Sequence, residues 1–116
     1  MSRRRTASSI NFDWQQLRQL AGEDASFATE LLTLFMQDAE SCLKDLEQAI
    51  ATQNARSIEE AAHSLRGASA NVGASALSAV AGRLEQSARR GDLRSAHVLL
   101  QQLKQHYRFI QAQFQL

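Results

Sequence analysis

Apolar residues recur at helical spacing in five segments of the chain. Their intervals of three, four and seven residues are those of amphipathic helices. No segment alternates with the period of two that is typical of a strand. The predicted apolar stripes are Trp14, Leu17 and Leu20; then Phe27, Leu31, Phe35, Cys42, Leu46 and Ile50; then Ile58, Ala62, Leu65, Ser69 and Val72; then Leu77, Val80, Ala81, Leu84 and Ala88; and finally Ala96, Leu100, Leu103, Tyr107, Ile110 and Phe114.

Capping residues and glycines divide these segments into separate helices. Capping boxes are predicted at Asp13 with Gln16 and at Ser57 with Glu60, although Asn54 is an alternative start for the third helix. The other predicted ends are N-caps at Asp24, Ser75 and Asp92 and stops at Gly22, Gly73 and Gly91. Four long helices joined by short turns predict an all-α fold, an antiparallel up-down-up-down four-helix bundle with a short extra N-terminal helix.

Length and composition agree with one helical domain. The chain has 116 residues and no proline. We expect residues 12–116 to form the domain, while residues 1–11 form a flexible basic tail. The single cysteine, Cys42, cannot form an internal disulfide and fits a reducing compartment. No apolar run approaches the roughly 20 residues of a membrane span, so a soluble cytoplasmic protein is expected.

The positive charge is concentrated at the start of the chain. The formal net charge is +1, and Arg3, Arg4 and Arg5 lie in the tail. Without these three arginines, 10 basic residues stand against 12 acidic ones. Because a nucleic-acid interface needs a basic face rather than a short tail, we expect no nucleic-acid partner.

His63 lies on the outward side of the third predicted helix. With about 100° of rotation per residue, its side chain lies roughly 140° from the centre of the apolar stripe. Gly67, one turn later, lies inside a helix, where glycine costs about 1 kcal/mol relative to alanine. Its missing side chain leaves room for a bulky group beside the imidazole, and Arg66 can donate two hydrogen bonds to a phosphate. These features suit nucleophilic attack on phosphorus, although an exposed histidine without a function has the same pattern.

The fourth predicted helix offers a partner for this histidine. If it packs antiparallel to the third, Gly82 and Glu85 lie near the level of His63. Glu85 can then accept a hydrogen bond from Nδ1, which leaves Nε2 as the attacking atom. Alternatively, Glu85 is a boundary carboxylate that pairs with Arg89, four residues later.

A docking surface is also predicted around His63. Leu32, Met36 and Leu43 widen the apolar edge of the second helix, and exposed apolar groups near a reactive residue favour partner binding. Glu59 and Ala70 on the third helix, and Gly82 on the fourth, complete this predicted surface. An equally open alternative is that the three apolar residues pack beneath the first helix.

Residues 62–74 read AHSLRGASANVGA and are followed by Leu77 and by Leu84–Glu85. This pattern resembles the signature of the histidine-containing phosphotransfer (HPt) domains of bacterial phosphorelays. The likeness covers the chain from about residue 24 onward and is specific between residues 62 and 85. It implies a helical bundle in which His63 is the phosphoacceptor, Gly67 gives access and Arg66, in the place usually held by lysine, holds the phosphoryl oxygens. It also implies that Glu85 contacts the histidine.

The resemblance implies a phosphorelay intermediate without kinase activity of its own. Such a domain takes a phosphoryl group from a receiver phosphoaspartate, or from a sensor kinase, and passes it to a response-regulator aspartate. Expected partners are therefore receiver domains and hybrid sensor histidine kinases, and the chain is expected to be a monomer. A non-phosphorylated helical adaptor is the alternative. A kinase dimerisation module fits less well, since the proline usual after the phosphohistidine of that class is missing.

No cofactor or metal site is predicted from the sequence. It contains no glycine-rich phosphate loop. His97 and His106 have no acidic or histidine partner at helical spacing. Any Mg²⁺ needed for transfer is expected on the receiver domain.

Overall fold

Five α-helices form the part of the chain that the computed structural model describes, residues 12–114. They are α1 (Trp14–Leu20), α2 (Ala25–Ala51), α3 (Ala55–Val72), α4 (Ser75–Arg89) and α5 (Ala96–Phe114). No strand occurs between residues 12 and 114, which confirms the all-α prediction. None of these helices is long and apolar enough to cross a membrane. The predicted tail, residues 1–11, lies outside the described residues.

Three helices begin at side-chain caps. Asp13, Asp24 and Asn54 precede α1, α2 and α3, and each accepts the backbone N–H three residues later at 3.0–3.1 Å. Each bond satisfies one of the N–H groups that a helix leaves unpaired at its start. The predicted caps at Asp13 and Asp24 are confirmed, and the alternative start at Asn54 is the N-cap of α3.

Other predicted helix starts are wrong. Glu60 pairs with Arg56 at 3.2 Å instead of closing a capping box with Ser57. Ser75 is the first residue of α4, which has no side-chain cap. Asp92 lies in the turn before α5, where it accepts the backbone N–H of Arg94 at 3.2 Å. Glu60 is occupied by Arg56, the Ser75 hydroxyl donates to the Gly73 carbonyl at 3.4 Å, and Asp92 is occupied by Arg94.

The four long helices surround one apolar core. α2 packs against α3 and α5, α3 packs against α4, and α4 packs against α5, while α1 lies against α2 and α3. The largest fully buried side chains include Leu32, Leu46, Ile58, Leu65, Leu77, Leu84, Leu103 and Ile110. At one end the rings of Phe12 and Trp14 lie 5.1 and 5.3 Å from that of Phe114, measured between ring centroids.

The buried face of α2 differs from the predicted stripe. Leu32, Met36 and Leu43 are buried, whereas Phe27 at the start of the helix is 46% exposed. The expectation that these three apolar residues form an exposed docking edge is therefore wrong. The physical reason is that α2 is covered from several sides, by α1, α3 and α5, so its buried face is wider than one stripe.

Gly73, at the end of α3, is hydrogen-bonded to the residue that precedes α1. Gly73 ends α3, as predicted, and its φ of +89° lies in the left-handed region. Its carbonyl accepts the backbone N–H of Asp13 at 2.7 Å. The Gln16 amide donates to the carbonyls of Ala70 and Asn71 at 2.6 and 3.2 Å, so it ties α1 to α3 and does not close the capping box at Asp13. These bonds satisfy carbonyls that α3 leaves unpaired at its end.

We expect Gly73→Ala to destabilise the fold more than Gly91→Ala. Both glycines have positive φ, at +89° and +73°, and occupying that region costs a non-glycine residue about 1–2 kcal/mol. A Cβ at residue 73 would also lie 2.5 Å from the Asp13 carbonyl oxygen, whereas one at residue 91 would meet nothing within 4 Å. Urea unfolding of both variants measures the difference in unfolding free energy. Equal losses would contradict the proposed role of the Gly73–Asp13 contact.

Candidate functional site

His63 lies on the surface of α3, as its helical phase predicted. Its side chain is 63% exposed. The five residues of the predicted α3 stripe are all buried: Ile58, Ala62, Leu65, Ser69 and Val72. The imidazole is therefore open to a group arriving from solvent.

Glu85 approaches this imidazole from α4. Its side chain is only 5% exposed, because α3 and α4 pack closely together. One carboxylate oxygen, Oε2, lies 2.8 Å from Nδ1 of His63. The predicted contact between the two helices is therefore present, and it joins an exposed ring to a buried acceptor.

Arg66 lies beside both groups. Its Nε donates to Oε1 of Glu85 at 2.6 Å, and its Nη2 lies 3.1 Å from Nδ1 of His63. Nδ1 cannot donate to Glu85 and accept from Arg66 at once. A carboxylate oxygen at 2.8 Å from an unprotonated Nδ1 would place two lone pairs against each other, so Nδ1 carries the proton. The Nη2 contact is then a close approach without a hydrogen bond.

The protonation of Nδ1 defines the chemistry of the ring. A neutral imidazole has one N–H and one lone pair, so the lone pair belongs to Nε2. Nε2 is then the nucleophilic atom of an exposed side chain. Glu85 can also stabilise positive charge that develops on the ring when Nε2 attacks.

Arg89 is a second cation at this carboxylate. Its Nη2 donates to Oε2 of Glu85 at 2.9 Å, and its Nε donates to Oε2 of Glu59 at 2.9 Å. Both sequence-based alternatives for Glu85 are therefore correct, since this carboxylate binds His63 and Arg89 at the same time. The spacing of four residues indicated the pair of Glu85 and Arg89 on α4. No pattern in the sequence indicated the contact of Arg89 with Glu59 on α3.

The contacts with Arg66 and His63 keep Glu85 ionised despite its burial. The hydrogen bond from Arg66 is the main cause that lowers the pKa of the Glu85 carboxyl below its ordinary value of 4.5, and burial acts in the opposite direction. The bond to His63 lowers the pKa further. Glu59, through its hydrogen bond, is the main cause that raises the pKa of Arg89. The site therefore presents a charged acceptor to the imidazole.

Two glycines shape the space around these groups. A Cβ at Gly67 would meet nothing within 4 Å, so packing within the chain does not require glycine there. This agrees with the predicted role of access for an external group. A Cβ at Gly82 would lie 3.2 Å from Cδ of Arg66. Gly82 therefore makes room for the Arg66 stem where it crosses α4.

The remaining residues of the predicted docking surface lie in different settings. Glu59 is half-buried and bound to Arg89, and Gly82 is half-buried beneath Arg66. Ala70 is exposed on α3. Leu32, Met36 and Leu43 do not reach this surface, because they are buried in the core. Docking through Glu59, Ala70 and Gly82 stays a prediction.

The other histidines lie apart from acidic clusters. His97 is exposed on α5, and burial is the main cause that lowers the pKa of His106 on the same helix. Across residues 12–114, no group of three or more histidine, cysteine, aspartate or glutamate side chains could hold a metal ion.

The family model of the Hpt domain matches residues 30–113. The chain belongs to the Hpt domain family. Its fold is similar to the crystal structure of histidine-containing phosphotransfer protein B from Pseudomonas aeruginosa PAO1. The TM-score is 0.86 at 31% sequence identity, over 93% of this chain and 94% of that one. Hpt proteins are phosphotransfer carriers rather than kinases, and the HPt resemblance of residues 62–85 is thereby confirmed at the level of the family.

This Hpt chain is also similar to histidine-containing phosphotransfer protein 1 of Arabidopsis thaliana. The two are 28% identical over 101 residues, which cover 84% of this chain. The alignment covers 66% of the Arabidopsis protein, so this chain spans slightly less than two thirds of that relative.

We expect neutral His63 to populate the Nδ1–H form, because Glu85 accepts that proton. The 15N chemical shifts of the ring nitrogens, measured at a pH where the ring is neutral, distinguish the two forms. Glu85→Ala removes the acceptor and should shift the population toward Nε2–H. Glu60→Ala removes an exposed carboxylate from the same face of α3 and should leave the ring unchanged. A neutral ring with its proton on Nε2 in the unmodified protein would contradict the tautomer argument.

Proposed function

We propose that this Hpt protein is a phosphorelay intermediate in which His63 carries the phosphoryl group. The donor is a receiver phosphoaspartate or a sensor kinase, and the acceptor is a response-regulator aspartate. The observation that carries the proposal is the 2.8 Å contact between Nδ1 of His63 and buried Glu85. It leaves Nε2 as an available nucleophile on an exposed ring.

The transfer step follows from this arrangement. The Nε2 lone pair attacks phosphorus, the N–P bond forms, and the P–O bond to the aspartyl carboxylate breaks, so that a carboxylate leaves. Because Nδ1 keeps its proton, the ring gains positive charge, which Glu85 stabilises. When the next aspartate attacks phosphorus, the N–P bond breaks and the neutral imidazole is restored.

Arg66 and Gly67 support the incoming group in this proposal. A guanidinium has five N–H donors, and the Nε donor of Arg66 is bound to Glu85, so other donors remain for phosphoryl oxygens. Gly67 leaves the approach open. Mg²⁺, which neutralises charge during phosphoryl transfer, would be held by the receiver domain. The partner surface would include Glu59, Ala70 and Gly82, and a transient contact needs only a small interface.

We also infer that the four long helices alternate in direction as an up-down-up-down bundle. The connections between them, residues 52–54, 73–74 and 90–95, are short. Short connections favour antiparallel neighbours. The additional packing of α2 against α5 closes the ring of four helices.

Labelling from a receiver domain charged with a radioactive acyl phosphate tests the proposed function. We expect base-stable, acid-labile label on the unmodified protein and essentially none on His63→Gln, because that variant lacks the nucleophile. His97→Gln, which replaces an exposed histidine on α5, is the matched control and should be labelled normally. Label that persists on His63→Gln would refute the assignment. Receiver binding without labelling of the unmodified protein would instead support the adaptor alternative.

A further inference from the structure

Four charged side chains form a continuous chain of contacts behind His63. Arg66 binds Glu85, Glu85 binds Arg89, and Arg89 binds Glu59. Two of these residues lie on α3 and two on α4. In the resting protein the two carboxylates and the two guanidiniums balance each other.

The two arginines are not equivalent within this chain of contacts. Arg89 is held by two carboxylates, one on each helix, at 2.9 Å each. Arg66 is held by one carboxylate, Glu85, and both arginine side chains reach solvent, at 44% exposure for Arg66 and 59% for Arg89. Arg66 is also the cation nearest to His63, with Nη2 3.1 Å from Nδ1. The structure thus contains one anchored cation and one that can change partner.

Phosphorylation of His63 creates competition for Arg66. A phosphoryl group brings close to two negative charges at neutral pH and three strong acceptor oxygens. If Arg66 turns toward that group, Glu85 loses the partner that now binds Oε1. A carboxylate that is only 5% exposed is strongly destabilised when its cationic partners are removed. The charged ring of His63 and the guanidinium of Arg89 are then the partners that remain at Glu85.

We propose that Arg89 is the standing counter-ion of Glu85, a positioning residue that allows Arg66 to leave this carboxylate for the phosphoryl oxygens. The inference rests on the proposed function of His63. Without the positive charge of Arg89, Arg66 is the sole guanidinium at Glu85 and stays bound there. The phosphoryl group then lacks the guanidinium of Arg66. The Glu85 carboxylate beside it also has one counter-ion fewer.

The role of Arg89 depends on the charge of residue 85. A glutamine at residue 85 needs no counter-ion, so loss of the Arg89 charge has little effect there. A purely structural role, in which Arg89 simply joins α3 to α4, does not depend on that charge. The two explanations therefore make different predictions for the same pair of substitutions.

Transfer rates from a charged receiver to four proteins test this dependence: the unmodified chain, Arg89→Gln, Glu85→Gln and the double variant. We expect Arg89→Gln to slow labelling of His63 about tenfold, which corresponds to one charge-assisted hydrogen bond. Arg89→Gln should change the rate less than about twofold when Glu85→Gln is already present. Arg89→Lys should retain most of the rate because it keeps the charge. Arg90→Gln, at an exposed neighbouring arginine, is the matched control.

An equal slowing by Arg89→Gln in both backgrounds, or no slowing in either, would overturn the proposal. A second measurement needs no substitution. The 15Nε–H NMR signal of Arg66 should shift when His63 becomes phosphorylated, while that of Arg89 stays in place. An unmoved Arg66 signal in phosphorylated protein would also overturn the proposal while leaving the proposed function intact. If His63 is never labelled, the proposed function fails and this inference fails with it.

Discussion

A carboxylate that is 5% exposed between two helices needs strong partners, and Glu85 has three of them in His63, Arg66 and Arg89. Burial alone would raise its pKa, but the hydrogen bond from Arg66 is the larger effect and keeps the group ionised. The ionised carboxylate fixes the proton of His63 on Nδ1. The availability of Nε2 therefore depends on a charge that the fold has placed behind the ring.

This dependence connects the chemistry to the packing of α3 and α4. His63, Arg66 and Glu59 lie on α3, whereas Glu85 and Arg89 lie on α4. A shift of one helix along the other would separate Glu85 from all of its α3 partners. The connection between them is only residues 73 and 74, and Gly73 is held in place by the N–H of Asp13. The hydrogen bond between Asp13 and Gly73 therefore helps to keep α3 and α4 in the register that the site requires.

Sequence reasoning succeeded where the residue types carried a strong signal. Ile58, Leu65 and Val72 define the phase of α3, so the exposure of His63 followed directly. The buried face of α2 was misplaced because Ala28, Ala39 and Ala49 contribute little to an apolar pattern although all three are buried. The contacts of Arg89 with Glu59 and of Gly82 with Arg66 join different helices. Such contacts depend on helix register, which one sequence does not reveal.

If Glu85 directs the reactivity of His63 to one ring nitrogen, the phosphoryl group must be bonded to that atom. After transfer from a charged receiver, 15N and 31P NMR of the phosphorylated protein identify the nitrogen that is bonded to phosphorus. We expect phosphorus on Nε2 with the proton retained on Nδ1. A phosphoryl group on Nδ1 would contradict this expectation, because that atom is assigned to the hydrogen bond with Glu85.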